Sequence, residues 1–144
     1  MSTQQPLGSR WRCPECSREF GRTRQQHDCA PGLTLEEYFA TGPPHERPVF
    51  DAVYGHLAQY DDLYVEPLAV GIFFKRKRTF VQLRPMRRWV ALSMMLPRKL
   101  DDPRISRKVV DTGRSFYHVL NIAGPEQVDE TVRGWLDEAY LSDS

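Results

Sequence analysis

Residues 68–96 read LAVGIFFKRKRTFVQLRPMRRWVALSMML. Three runs in this stretch, Leu68–Lys75, Thr79–Arg84 and Arg88–Leu96, are short and rich in β-branched and aromatic residues, which predicts strands. The basic run Lys75-Arg76-Lys77-Arg78 marks one turn and Pro85 marks the next. Strands this closely spaced pair antiparallel, because a parallel partner needs a crossover of a dozen residues or more. Further along, Ile105–Val110 and Ser115–Ile122 flank Asp111-Thr112-Gly113-Arg114, a hairpin signal. The expected sheet has four or five strands.

Helical patterns frame the strand block. Thr34 and Glu37 form a capping box, with Leu33 and Tyr38 placed for a hydrophobic staple, so a short helix begins there and stops near Thr41-Gly42. Val49, Phe50, Val53, Leu57 and Tyr60 recur at helical spacing from about Arg47, and Pro48 suits a first turn. After Gly124-Pro125, Val128, Val132, Trp135, Leu136 and Ala139 give the last helix one apolar face. Two helices, an antiparallel sheet and a C-terminal helix make an α+β fold with helices on one sheet face.

The N-terminal segment is of a different kind. All three cysteines fall in Trp11–Cys29, WRCPECSREFGRTRQQHDC, together with His27. Cys13, Cys16, His27 and Cys29 read C-x2-C-x10-H-x-C, a set suited to tetrahedral Zn2+. Four protein ligands close the coordination sphere, so the ion would be structural. Phe20 is the apolar plug of so small a unit, and metal binding supplies folding energy that a segment this polar lacks. A redox C-x2-C pair and plain buried cysteines are the competing readings, and His45 is the alternative fourth ligand. The chain then divides into a finger (1–30), a Pro-rich connector with a short helix (31–48) and an α+β domain (49–144).

W-x-C-P-x-C-x3-F, the H-x-C that follows, Arg104-Ile105 and the final VDETVRGWLDEAY together resemble a bacterial family. It carries the domain of unknown function numbered 5655, in the version with an N-terminal zinc-finger-like segment. The resemblance implies a sheet-and-helix core and brings no activity with it.

Charge is strongly segregated beneath a net of +1. Residues 31–70 carry one Arg against seven acids, and residues 125–144 one Arg against six. Between them, residues 71–124 carry thirteen Lys and Arg against three acids. Such a block binds polyanions through counterion release, or else it pairs internally with the acidic flanks. The nucleic-acid reading assigns DNA or RNA contacts to Arg22, Arg24, Lys75, Arg76, Lys77, Arg78, Arg104, Arg107 and Lys108. Because successive turns of a meander alternate ends, the Lys75–Arg78 turn and the later basic cluster ending at Arg114 are expected to share one edge.

The second function class is a small-molecule or protein-binding domain with a groove lined by Trp89, Met94, Met95, Tyr117 and His118, its basic face merely solvated. An enzyme built around His118 and Arg104 is the third. No phosphate-binding glycine loop or nucleophile elbow is present, and Asp101-Asp102 before Pro103 reads as a turn. The expectation is therefore a non-catalytic module. No apolar run reaches the ~18 residues of a membrane span, and MSTQQPLGSR lacks the apolar core of a secretory signal. The expected setting is the reducing cytoplasm.

Overall fold

Alternation in the strand block sends one set of side chains inward, and cross-strand pairing lines that set up in rows. The computed structural model describes residues 10–16, 18–24, 26 and 33–143. Its elements are β1 (Trp11–Arg12), β2 (Glu19–Phe20), α1 (Leu35–Ala40), α2 (Glu46–Leu57), β3 (Tyr64–Leu68), β4 (Gly71–Lys75), β5 (Thr79–Pro85), β6 (Val90–Leu96), β7 (Val110–Asp111), β8 (Phe116–Ile122), a 3-10 turn (Pro125–Gln127) and α3 (Glu130–Ser142). The main sheet has the order β3-β4-β5-β6-β8-β7, antiparallel throughout. The fold is α+β, as expected.

The strand count differs from expectation: the sheet has six strands, not four or five. The run expected as one strand, Leu68–Lys75, belongs to two, because the chain reverses at Ala69-Val70. Neither residue is a turn former. Gly71 permits the reversal to sit close to β5, since a Cβ there would lie 2.4 Å from the Leu83 carbonyl oxygen. The Ile105–Val110 strand is mostly absent. Ile105 makes an isolated bridge to Leu120, and only Val110 and Asp111 pair with β8 as a strand.

One row of the core runs Ile72, Leu83, Leu92, Leu120 across β4, β5, β6 and β8. The next runs Phe74, Val81, Met94, His118. Both rows are buried. Onto them α2 brings Val49, Phe50, Val53 and Leu57, and α3 brings Val132, Trp135, Leu136, Ala139 and Tyr140. Each fully buried Leu or Phe stabilises the fold by about 1.5–3 kcal/mol. The capping box forms as the sequence implied, with Thr34 Oγ1 accepting from the Glu37 N–H at 3.0 Å and Glu37 from the Thr34 N–H at 2.9 Å. Asp129 caps α3 by accepting from the Val132 N–H at 2.9 Å. No helix among the described residues is long and apolar enough to cross a membrane.

Candidate nucleic-acid interface

The β1–β2 hairpin docks on the sheet surface opposite the helices. Cys13 and Cys16 lie on the tight turn that joins its strands, where the Cys13 N–H donates to the Arg18 carbonyl at 2.8 Å. Trp11 pairs with Phe20 across the strands. His27 and Cys29, the other expected ligands, lie outside the described residues. Among the described residues no group of three or more His, Cys, Asp or Glu is placed to hold a metal ion.

The dock is built from buried charge. Glu66 of β3 accepts from Lys75 Nζ at 2.6 Å and from Arg18 at 3.1 Å, and all three side chains are at least nine-tenths buried. Phe20 fills the space between the cations, with Lys75 Nζ 4.2 Å and the Arg18 guanidinium 5.1 Å from its ring centre. Burial holds the Lys75 pKa below its ordinary value, against the opposing pull of Glu66. Lys75 is thus no surface contact: at 3% exposure it is an anchor for the hairpin. Arg10 adds a second tie, donating to the Asp62 carbonyl at 3.0 Å and lying over the Tyr64 ring.

Past β2 the chain presses against the β4–β5 turn. A Cβ on Gly21 would lie 2.3 Å from the Lys77 carbonyl oxygen and 2.8 Å from its Cα, so only glycine fits. The contact brings the segment that carries Arg22 and Arg24 up to the Lys77 turn, and all three residues are exposed. Arg24 takes a left-handed φ of 57°, uncommon for a long side chain. Among the described residues no ion pair engages any of the three.

Much of the remaining basic block is neutralised internally. Arg76 pairs with Asp62 at 3.1 Å, donates to the Tyr140 carbonyl at 3.2 Å and covers the Tyr140 ring. Arg78 faces Asp143 at 3.5 Å, and Arg98 makes a double contact with Glu138. Arg104 joins Asp102 and Asp129, each at 3.1 Å, above the Trp135 ring. The neighbouring arginine holds the Asp102 carboxyl below its usual range, and the Val132 N–H at the helix start, then Arg104, do the same for Asp129. Arg107 and Lys108 are exposed on the edge segment before β7. Arg78 and Arg114 do share an end of the sheet, lining one cavity there.

The family model described as Domain of unknown function (DUF5655) matches residues 35–142, from the start of α1 to the end of α3. The chain belongs to DUF5655. The β1–β2 hairpin lies outside the matched residues. No curated protein and no solved structure matches the chain.

Within the DUF5655 core, the expected ligand groove does not assemble. Met94 and His118 are cross-strand partners on the buried helix-facing surface. Tyr117, next to His118 in β8, points to the opposite surface and bonds Ser93 Oγ at 3.0 Å, with Met95 as its cross-strand neighbour. Trp89 sits apart in the β5–β6 turn. His118 is fully buried, its Nε2 accepting from the Leu100 N–H at 2.9 Å and its Nδ1 within 3.0 Å of the Phe116 carbonyl. That arrangement fits a neutral ring protonated on Nδ1, and burial lowers its pKa. The ring pins the loop after β6 rather than meeting Arg104, which lines a separate cavity near the start of α3.

Two polar networks of the DUF5655 core carried no sequence signal. Tyr60 stacks on Tyr140 at 3.7 Å. Tyr60 and His56 both bond Asp137, at 2.7 and 2.8 Å, and Tyr140 bonds Asp62. Burial and the Asp137 bond push the Tyr60 pKa up to about 12. In the second network, Tyr38 donates to Glu46, a carboxyl that is almost wholly buried and shifted upward by burial. These groups tie α2 to α3, and α1 to α2.

Proposed function

We propose that this chain is a zinc-stabilised, non-catalytic binding module that contacts nucleic acid through the Arg-rich finger and the adjoining turn end of the sheet. The seating of Gly21 on the Lys77 backbone carries the reading, because it joins the segment of the exposed Arg22 and Arg24 to the exposed Lys77 of the basic turn. Long cationic side chains on a rigid platform suit phosphate oxygens, which fix position without reading sequence. Zinc enters through the C-x2-C turn: Cys13 and Cys16 share one tight reversal, and His27 and Cys29 complete a closed four-ligand set in the sequence. The ion would hold the finger while Glu66 holds its base.

Internal pairing of Lys75, Arg76, Arg78 and Arg104 narrows the contact set. The surface contacts become Arg22, Arg24 and Lys77, with Arg107 and Lys108 along the edge. Fluorescence anisotropy with a labelled oligonucleotide, read across a salt series, tests the reading. Affinity is expected to fall steeply with salt on every sequence tried. Absence of binding at low salt, or binding indifferent to salt, would reject it.

A further inference from the structure

At the same end of the sheet, the β4–β5 turn, the β7–β8 turn and the last residues of α3 enclose a cavity of about 240 Å3. Arg78 and Arg114 line it from two different turns, and Ser115, Ser142 and Thr112 contribute hydroxyl-bearing walls. Its volume is far above the ~10–15 Å3 that a single water needs, and Phe80 and Met95 give it an apolar part.

A carboxylate of this chain already shows what the neighbouring backbone accepts. Asp143 Oδ2 takes the Lys77 N–H at 3.0 Å and the Arg78 N–H at 2.9 Å, while Oδ1 faces Arg78 Nε at 3.5 Å. Adjacent backbone N–H groups aimed at one point form an oxyanion seat. Asp143 is buried, so its charge is spent locally on these donors. Among the described residues no hydrogen bond engages the terminal nitrogens of Arg78 or any nitrogen of Arg114. Arg78 thus turns only its Nε edge to Asp143, and its guanidinium and that of Arg114 both border the cavity.

We propose that this cavity binds a phosphate monoester, with Arg78 and Arg114 as its cationic clamp. Guanidinium forks match the oxygens of a terminal phosphate. The proposal rests on the nucleic-acid reading for its richer ligand: Lys77, the chain neighbour of Arg78, would meet the strand that follows a 5′-phosphate. A free phosphate monoester offers the same chemistry without the strand.

Two arms separate these sources. In the first, phenyl phosphate is titrated into isotope-labelled full-length protein and backbone amide shifts are followed. Saturable shifts at Arg78, Thr112–Ser115 and Ser142, lost in Arg114→Gln, are expected. In the second, a 5′-phosphorylated oligonucleotide is compared with its 5′-hydroxyl counterpart. A preference of about 5- to 20-fold for the phosphorylated strand, abolished by Arg114→Gln with 5′-hydroxyl affinity unchanged, is the expected result; one charge-assisted contact of ~1–2 kcal/mol gives that range. Shifts with phenyl phosphate but no oligonucleotide preference support the site and assign it to free monoesters. No shifts and no preference overturn the proposal, while salt-dependent oligonucleotide binding would still stand on its own.

Discussion

Glu66→Gln removes the carboxylate that Lys75 and Arg18 share at the base of the hairpin and leaves the side chain's shape nearly intact. In the native fold Glu66 is 2.6 Å from Lys75 Nζ and 3.1 Å from Arg18, with side-chain exposures of 3%, 4% and 9% for Glu66, Lys75 and Arg18. The substitution takes the carboxylate away from Lys75, a cation held out of water. Breaking a buried pair in this way costs about 3–5 kcal/mol, a large part of the ~5–15 kcal/mol that holds a domain of this size. At roughly 3–4 °C per kcal/mol, the melting temperature should fall by about 10–20 °C. Urea unfolding gives the free energy, and a cycle with Lys75→Met isolates the pair. Once Lys75 has lost its charge, Glu66→Gln should cost at least ~1 kcal/mol less than in the native background. A loss under ~1 kcal/mol, or strict additivity of the two changes, would refute the claim that buried charge clamps the hairpin.

Other expectations follow from the same geometry. Gly21→Ala drives a methyl into the Lys77 backbone, so the hairpin should lift at a cost of about 1–3 kcal/mol; hydrogen exchange should speed up at residues 18–24 and stay slow in β4–β6, and unchanged protection at 18–24 would contradict the contact. His118 has a folded pKa below its unfolded value of ~6.5. Its contribution to stability is therefore complete above that value and is lost as pH falls through it, by up to ~1.4 kcal/mol per pH unit; urea midpoints between pH 7.5 and 5 should slope less in His118→Asn, and an unchanged slope would count against a buried neutral ring. Protein purified under reducing conditions should carry one equivalent of zinc, and a chelator should release amide protection at residues 10–24 while sparing residues 35–142; metal-free protein with that protection intact would remove zinc from the account.

The sequence disclosed those parts of the fold that depend on local pattern. Thr34 and Glu37 mark α1, the apolar spacing through Trp135 marks α3, and β-branched runs mark the central strands. It concealed the Ala69-Val70 reversal, because the close approach to Leu83, not turn chemistry, permits it. Glu66 was equally illegible: an acid inside a strand reads as exposed until Lys75 and Arg18 close over it. The basic run looked uniform along the chain, yet tertiary contacts sort it into an anchor (Lys75), a clamp on Tyr140 (Arg76) and an exposed side chain (Lys77). Alternating turn ends led to the expectation that the Lys75–Arg78 turn and the later basic cluster share one edge; Arg78 and Arg114 line one cavity, whereas Arg104 lines another. Nothing local announced that Gly21 would seat the finger on the Lys77 backbone.

The slope of log affinity against log salt, compared between the native chain and Arg22→Ser/Arg24→Ser/Lys77→Ser, tests the central claim most directly. Each cation on a duplex phosphate contributes about 0.9 to that slope, so the triple variant should bind more weakly on every sequence, with a slope shallower by about 2–3 and a melting temperature close to native. An unchanged slope and affinity in the folded variant would place nucleic acid elsewhere on the molecule, or nowhere on it.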